Sequence, residues 1–204
     1  MSPVRAHRRS HLVAALLALT VGLSAVPAGA GAAGSAATKA SGSANAPPVR
    51  AHADRSRTER VRLNRRVRKL QRKVWHQQRV MGIRLSRESR APNRDPLRKA
   101  RFKLAVWAKR AARTNHSYMR PPHKGAWLCI HRGEGSWGSA TGNGYYGGLQ
   151  MDLAFMRHYG AYLLRVKGTA NRWSPLEQIW TGERGRRTQG WGAWPRASRA
   201  CGLI

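Results

Sequence analysis

Gly142-Asn143-Gly144-Tyr145-Tyr146-Gly147-Gly148-Leu149-Gln150 lies in the middle of the aromatic, glycine-rich part of the chain. Gly142-Asn143-Gly144 supplies the positive-φ positions of a tight turn, and Tyr145-Tyr146 follows it. On the N-terminal side, Trp127, Ile130 and Glu134 recur at three and four residues and therefore share one side of a helix. On the C-terminal side, Asp152 precedes Leu153, Phe155, Met156, Tyr159, Leu163 and Val166, a continuous helical pattern that Gly168 can close. Ser174-Pro175-Leu176-Glu177 is a capping box with Pro in the first turn, opening a helix through Ile179 and Trp180. An aromatic loop, Gln189-Gly190-Trp191-Gly192-Ala193-Trp194-Pro195, comes last. These signals predict an α+β domain over 121–204, mostly helical with one short β excursion.

Upstream the composition is different. The 204 residues carry 39 Lys and Arg against 8 acids, a net of +31. Residues 50–120 alone hold 24 basic residues and 4 acids, a net of +20, whereas 121–204 hold 11 and 4. Leu63, Val67, Leu70, Val74 and Met81 fall near a 3.5-residue period, so a thin apolar stripe marks a first helix that either pairs with another chain or forms on a polyanion. A second helix begins at Asp95-Pro96 and runs to about Arg113, with Leu97, Leu104, Ala108 and Ala111 on one face. Such a region, 50–120, suits a polyanion, with anionic wall polymers or lipid headgroups as candidate partners, and reads equally as a solvated charged face. It has no interleaved aromatic motif for nucleic acid, and no nucleic-acid partner is expected.

The first thirty residues have the three-part order of an export signal. Arg5, Arg8 and Arg9 are the basic start, Leu12 to Val21 the short apolar stretch, and Ala28-Gly29-Ala30 the cleavage site. Arg8-Arg9 leaves the twin-arginine route open beside the general one. Residues 31–49, mostly Ala, Gly, Ser and Pro, read as a flexible linker. The expected location is outside the cell or in the wall. No apolar run after residue 30 approaches the about 18 residues needed to span a membrane, and no covalent wall-sorting signal is read at Gly202-Leu203-Ile204. Two cysteines are too few for a four-thiolate zinc site, and no metal or cofactor is expected.

The C-terminal segment offers four acids. Glu177 fits a cap, Glu183 sits beside Arg184, Arg186 and Arg187, and Asp152 stands at a helix start. Glu134 follows an apolar helical face and enters Gly135-Ser136-Trp137. A carboxyl group beside Trp and Ile resists ionisation and can deliver a proton near neutral pH, although His131 would oppose that shift if charged. From the residues alone, Glu134 reads equally as a proton donor or as an ordinary helix-end acid.

Thr141 through Gln150, together with Thr188-Gln189-Gly190-Trp191-Gly192-Ala193-Trp194-Pro195, resembles the transglycosylase-like domain of actinobacterial resuscitation-promoting factors. The resemblance covers roughly 125–204 and nothing upstream. It implies a small lysozyme-like fold at the C-terminus, preceded by the basic helical region of 50–120. It also implies cleavage of the β-1,4 bond between N-acetylmuramic acid and N-acetylglucosamine in peptidoglycan glycan strands, with one Glu as acid. The family pattern Cys-Glu-Ser-Gly-Gly-x-Trp is not matched literally. Counting back from Tyr145 without gaps places the acid at Arg132, and a two-residue shortening places it at Glu134. In the shortened register the family cysteines fall at Gly133 and Ala197, while Cys129 and Cys201 each lie four residues away. If both flanks are helical, that is one turn each, and a Cys129–Cys201 bridge would join the same two elements.

The resemblance further implies a saccharide cleft near Gly148-Leu149-Gln150. Trp137, Tyr145, Tyr146, Trp191 and Trp194 are candidates to stack on sugar faces, each equally a candidate for the core. Asn143 and Gln150 are candidates to hydrogen-bond N-acetyl or hydroxyl groups, with Asp152 at the same cleft. A retaining hydrolase needs a second carboxylate about 5 Å from the acid, and Asp152 is the only plausible partner. A lytic transglycosylase needs none, because the muramic 6-hydroxyl attacks and leaves a 1,6-anhydro end; the single-Glu scheme is preferred. The rival classes are a non-catalytic basic wall- or polyanion-binding protein and a disulfide-stapled signalling module.

Overall fold

The computed structural model describes residues 48–92 and 94–204, and the export signal at 1–30 lies outside them. The stretch read as linker lies outside them too, except for Pro48 and Val49, which belong to the first helix. That helix, α1 (Pro48–Met81), is followed by α2 (Pro96–Tyr118) and α3 (Lys124–Glu134). A two-stranded antiparallel ribbon comes next, β1 (Tyr145–Tyr146) paired with β2 (Met151–Asp152). Helices α4 (Leu153–Tyr159), α5 (Ala161–Lys167), α6 (Pro175–Gln189) and α7 (Pro195–Ala200) complete the domain, with 3-10 turns at Ala170–Arg172 and Gly190–Ala193.

The periodic stripe of α1 does bury a seam, but the partner is α2 of the same chain. Val67 and Val74 are buried against Trp107 and Ala111, with Leu70, Trp75 and Leu104 partly buried around them. Glu59 pairs with Arg101 and Gln77 with Asn115, so the two helices run in the same direction. A parallel pair needs a long return connection. Residues 82–92 run as a strap within it, and the fourteen residues between the two helices can reach up to about 46 Å. Three residues of α1 hold the strap in place. The Trp75 indole donates to the Ser86 carbonyl at 2.9 Å, Gln78 exchanges two hydrogen bonds with Ser86, and Gln71 donates to Glu88 at 2.8 Å. Gln71 and Gln78 are buried, and these bonds offset the desolvation of their amides.

Asp95 caps α2 as its position predicts, accepting from the Arg98 amide at 2.7 Å, with Pro96 in the first turn. The helix continues five residues past Arg113, and its expected inward face holds in part, with Leu104 and Ala111 packed on the seam. Ala100, Trp107, Ala111 and Tyr118 are buried, whereas Ala108 is exposed. The indole of Trp107 takes the inward place because it fills the seam beside Trp75 far better than a methyl group does, with ring centroids 5.6 Å apart.

The C-terminal ends of α1 and α2 are rooted in the main core. Val80, Met81 and Tyr118 belong to the same buried cluster as Trp127, Ile130, Leu149, Met156 and Trp180. His76 stands between the Tyr162 hydroxyl and Glu177, each at 3.0 Å, and Arg184 donates to the Arg79 and Val80 carbonyls. Before this root, Arg62, Arg65, Arg66, Arg68, Lys69, Arg72 and Lys73 are all exposed, and none forms an ion pair among the described residues.

Helix α6 runs through the centre, with Glu177 to Glu183 and Gly185 buried. The capping box at its start is complete: Ser174 accepts from the Glu177 amide and Glu177 accepts from the Ser174 amide. Gln178 ties the ribbon to this helix. Its carbonyl oxygen accepts from the Gly148 amide at 2.8 Å, and its amide nitrogen faces the carbonyls of Trp137, Ala170 and Trp173. The single helix expected from Leu153 to Val166 is instead two, broken at Gly160. A side chain at that glycine would strike the Trp173 ring, so the break brings the chain close to a buried indole. Gly142 and Gly144 have the positive φ expected, but the connection between the paired strands is Gly147–Gln150, where Gly147 and Gln150 are both left-handed.

Candidate active site

Glu134 is the last residue of α3, half-buried, where Gly135 at φ 148° ends the helix. The apolar face behind it is formed by Trp127 and Ile130, both fully buried. Burial pushes the Glu134 carboxyl above the usual carboxylate range, while the charge of Arg196 on α7 pulls the other way. The environment therefore favours the neutral acid more than water does.

The position of α3 is set by its contact with α7. Cys129 and Cys201 form a disulfide, with Cα atoms 6.1 Å apart. One turn along each helix, Gly133 and Ala197 face each other: a Cβ on Gly133 would lie 3.4 Å from that of Ala197. Bridge and close contact together hold the end of α3 beside Arg196.

A groove of about 550 Å³ runs over the ribbon and α4, lined by Tyr145, Gln150, Asp152, Phe155, Tyr159 and Trp194 among others. Glu134 is not among its lining residues. The link is Gln150, whose side-chain nitrogen lies 3.7 Å from where a Cβ on Gly135 would stand. Gln150 is held with φ 44°, and its amide donates to the Gly147 carbonyl at 2.9 Å. The conformation is costly for a residue with a side chain, and here it aims that side chain between the groove and the end of α3.

The other residues singled out from the sequence separate into two groups. Tyr145 is 47% exposed and offers an open ring in the groove. Asn143 is exposed beside it, with its carbonyl oxygen accepting from the Tyr145 amide at 3.1 Å. Asp152 lines the groove, but its carboxylate caps α4, accepting from the Phe155 amide at 2.6 Å. Tyr146 is half-buried and packs on the core. Trp137 stacks on His131 with centroids 3.9 Å apart and planes at 16°, so one of its faces is covered. The Trp191 ring is flanked by Trp127, His123 and the Arg186 guanidinium. Trp194 is only 4% exposed, its indole donating to the Leu149 carbonyl at 2.7 Å, so it has no free face for a sugar and contributes an edge to the groove.

His158, Tyr159 and Gln189 also line the groove and were not among the sequence candidates. Tyr159 falls on the apolar pattern of α4, which reads as core. Only the break at Gly160 and the return of α6 turn it toward the groove, where its hydroxyl pairs with Thr188.

The remaining two acids are committed to structure. Burial alone would raise Glu177, but hydrogen bonds from His76, Lys167 and the Ser174 backbone overcome it and hold the carboxyl at about 2. Burial likewise opposes Glu183, yet the Arg186 fork, the Trp127 indole and His123 hold it below its ordinary value. Both are ionised at neutral pH and have no proton to give.

A mostly helical domain with one short ribbon and a groove fits a lysozyme-like fold, and residues 127–197 match the family described as a transglycosylase-like domain. Over 69 residues, 34% of this chain, it is 41% identical to resuscitation-promoting factor Rpf of Micrococcus luteus and to a resuscitation-promoting factor of Corynebacterium glutamicum. Over 64 residues it is 41% identical to resuscitation-promoting factor RpfD of Mycobacterium tuberculosis. The matched stretch spans 29%, 35% and 38% of these three relatives' own lengths.

Proposed function

We propose that the protein cleaves the β-1,4 bond between N-acetylmuramic acid and N-acetylglucosamine of peptidoglycan as a lytic transglycosylase, acting outside the cell or in the wall, with Glu134 as general acid. The observation that carries this reading is the contact of Gly133 with Ala197. These are the positions the family cysteines take when the acid falls at Glu134, and their contact supports the shortened register over one that puts Arg132 there. The chemistry agrees. Glu134 has a carboxyl raised by burial, Glu177 and Glu183 are ionised in ion pairs, and Asp152 is engaged in a cap.

In the proposed reaction neutral Glu134 protonates the glycosidic oxygen, and the N-acetylglucosamine 4-hydroxyl departs. The muramic 6-hydroxyl then bonds to C1, and its proton returns to the Glu134 carboxylate. Atoms and charge balance without water, and no second carboxylate is required. Tyr145 supplies a sugar-stacking face, with Asn143 and Gln150 as hydrogen-bonding groups.

The test is analysis of the fragments released from purified peptidoglycan by the full chain and by Glu134→Gln. Anhydro ends from wild type, with a loss of at least about a hundredfold in the variant, are the expected result for a general acid. Because a carboxyl with raised pKa is destabilising when ionised, Glu134→Gln should leave the melting temperature at neutral pH unchanged or higher. Reducing ends instead of anhydro ends would replace the transglycosylase by a hydrolase, and no release by wild type would sink the enzyme reading. Asp152→Asn should keep most turnover; a total loss would bring back the two-carboxylate scheme.

A further inference from the structure

Seven of the twelve residues from 62 to 73 are Arg or Lys, with no acid among them. All seven are exposed. Like charges at three- and four-residue spacing oppose a helix, yet α1 is formed, because α2, the strap and the core hold it from the other side. The stripe rises about 17 Å along the helix axis, a dense row of cations on a rigid support.

We infer that this face of α1 is a docking surface for a linear phosphodiester polymer of the cell wall. The choice of the wall rests on the glycan-cleaving reading above; the choice of a linear polyanion rests on the face itself. A helix that lies on a membrane buries an apolar side in the lipid. Here that side is already occupied: Val67 and Val74 are buried under α2. Nucleic-acid surfaces for single strands interleave aromatic rings with the cations. Residues 62–73 contain no ring, and Trp75, next along the helix, is turned to Trp107 and the strap, so the stripe itself carries no stacking platform. A row of guanidinium and ammonium groups along one axis matches repeating phosphates that carry no base. The root of α1 in the domain, through His76 and Arg184, then holds the polymer at a constant offset from the groove.

The experiment measures co-sedimentation of the full chain with isolated Gram-positive walls, intact or stripped of phosphodiester polymers with hydrofluoric acid. Seven phosphate contacts correspond to a slope of about −5 in log affinity against log salt, roughly a thousandfold loss over a fourfold rise in salt. The expected result is steep salt dependence on intact walls and at least about tenfold weaker retention on stripped ones. The triple variant Arg65→Gln, Lys69→Gln, Arg72→Gln should make the slope shallower by about 2, with its melting temperature unchanged or raised and its cleavage of stripped walls retained. Equal retention on both walls overturns the proposal. So does tighter binding to anionic phospholipid vesicles, or to single-stranded DNA of equal phosphate content, than to intact walls at the same salt. If wild type releases no fragments from stripped walls but is held on intact ones with the steep slope, the cleavage reading falls and the docking surface stands.

Discussion

The four acids of the domain have the same side-chain chemistry or nearly so, and their neighbours give them different tasks. Glu134 has an apolar helix behind it and one opposing cation, and its neutral form is favoured. Glu177, equally a glutamate on a helix, is fully enclosed but receives hydrogen bonds from His76, Lys167 and Ser174 and sits at about 2. The sign of its linkage follows. A folded pKa below the unfolded value contributes stability that is complete above about pH 4.5 and is lost as pH falls toward about 2, a difference of roughly 3 kcal/mol. Urea unfolding at pH 7 and at pH 3 should therefore show a lower midpoint in acid, and Glu177→Gln should flatten that difference. Since His76 comes from α1, the same variant should also loosen the root of that helix, read as faster amide exchange near Arg79.

At the scale of elements, α3 and α7 depend on each other more than on their own length. Helix α7 has six residues and α3 eleven, both short for independent stability. The Cys129–Cys201 bridge closes a loop spanning 72 positions in sequence, worth roughly 4 kcal/mol in the chain-entropy account. Cys129→Ala with Cys201→Ala should lower the unfolding free energy by about that amount. It should also reduce cleavage more than it reduces binding to the wall, because the end of α3 loses its support while α1 does not. Equal losses of both would show that the bridge holds the whole chain rather than the site. The helices α1 and α2 stand in a different relation. Their parallel course exists only because the strap returns along them, held by Gln71, Trp75 and Gln78.

For the whole molecule, the distribution of charge matters more than its total. The net of +31 is concentrated upstream of the domain, and the cations of α1 face solvent together. Self-repulsion of that kind is screened beyond a Debye length of about 8 Å at physiological salt. Thermal stability should therefore rise between about 10 mM and about 150 mM salt, and the rise should be smaller in the triple variant of α1. A melting temperature independent of salt would mean that the packing against α2 and the core absorbs the repulsion entirely.

Local chemistry decided what could be read from the chain alone. The cap at Asp95, the capping box at Ser174–Glu177 and the helical faces of Trp127, Ile130 and Glu134 involve groups within a few residues of one another, so their sequence suffices. The direction of the first two helices could not be read, because a 3.5-residue stripe is satisfied by a parallel or an antiparallel partner. Here the partner and direction came from a strap whose hydrogen bonds reach across twenty-three residues or fewer but only after the helices have met. The break at Gly160 depends on Trp173, thirteen residues later, and the burial of Trp194 depends on Trp127 and Leu149. Aromatic residues look alike in sequence whether they pack or bind. Only the tertiary arrangement, which covers both faces of one ring and leaves Tyr145 open, separates them, since exposure belongs to the assembled surface and not to any residue.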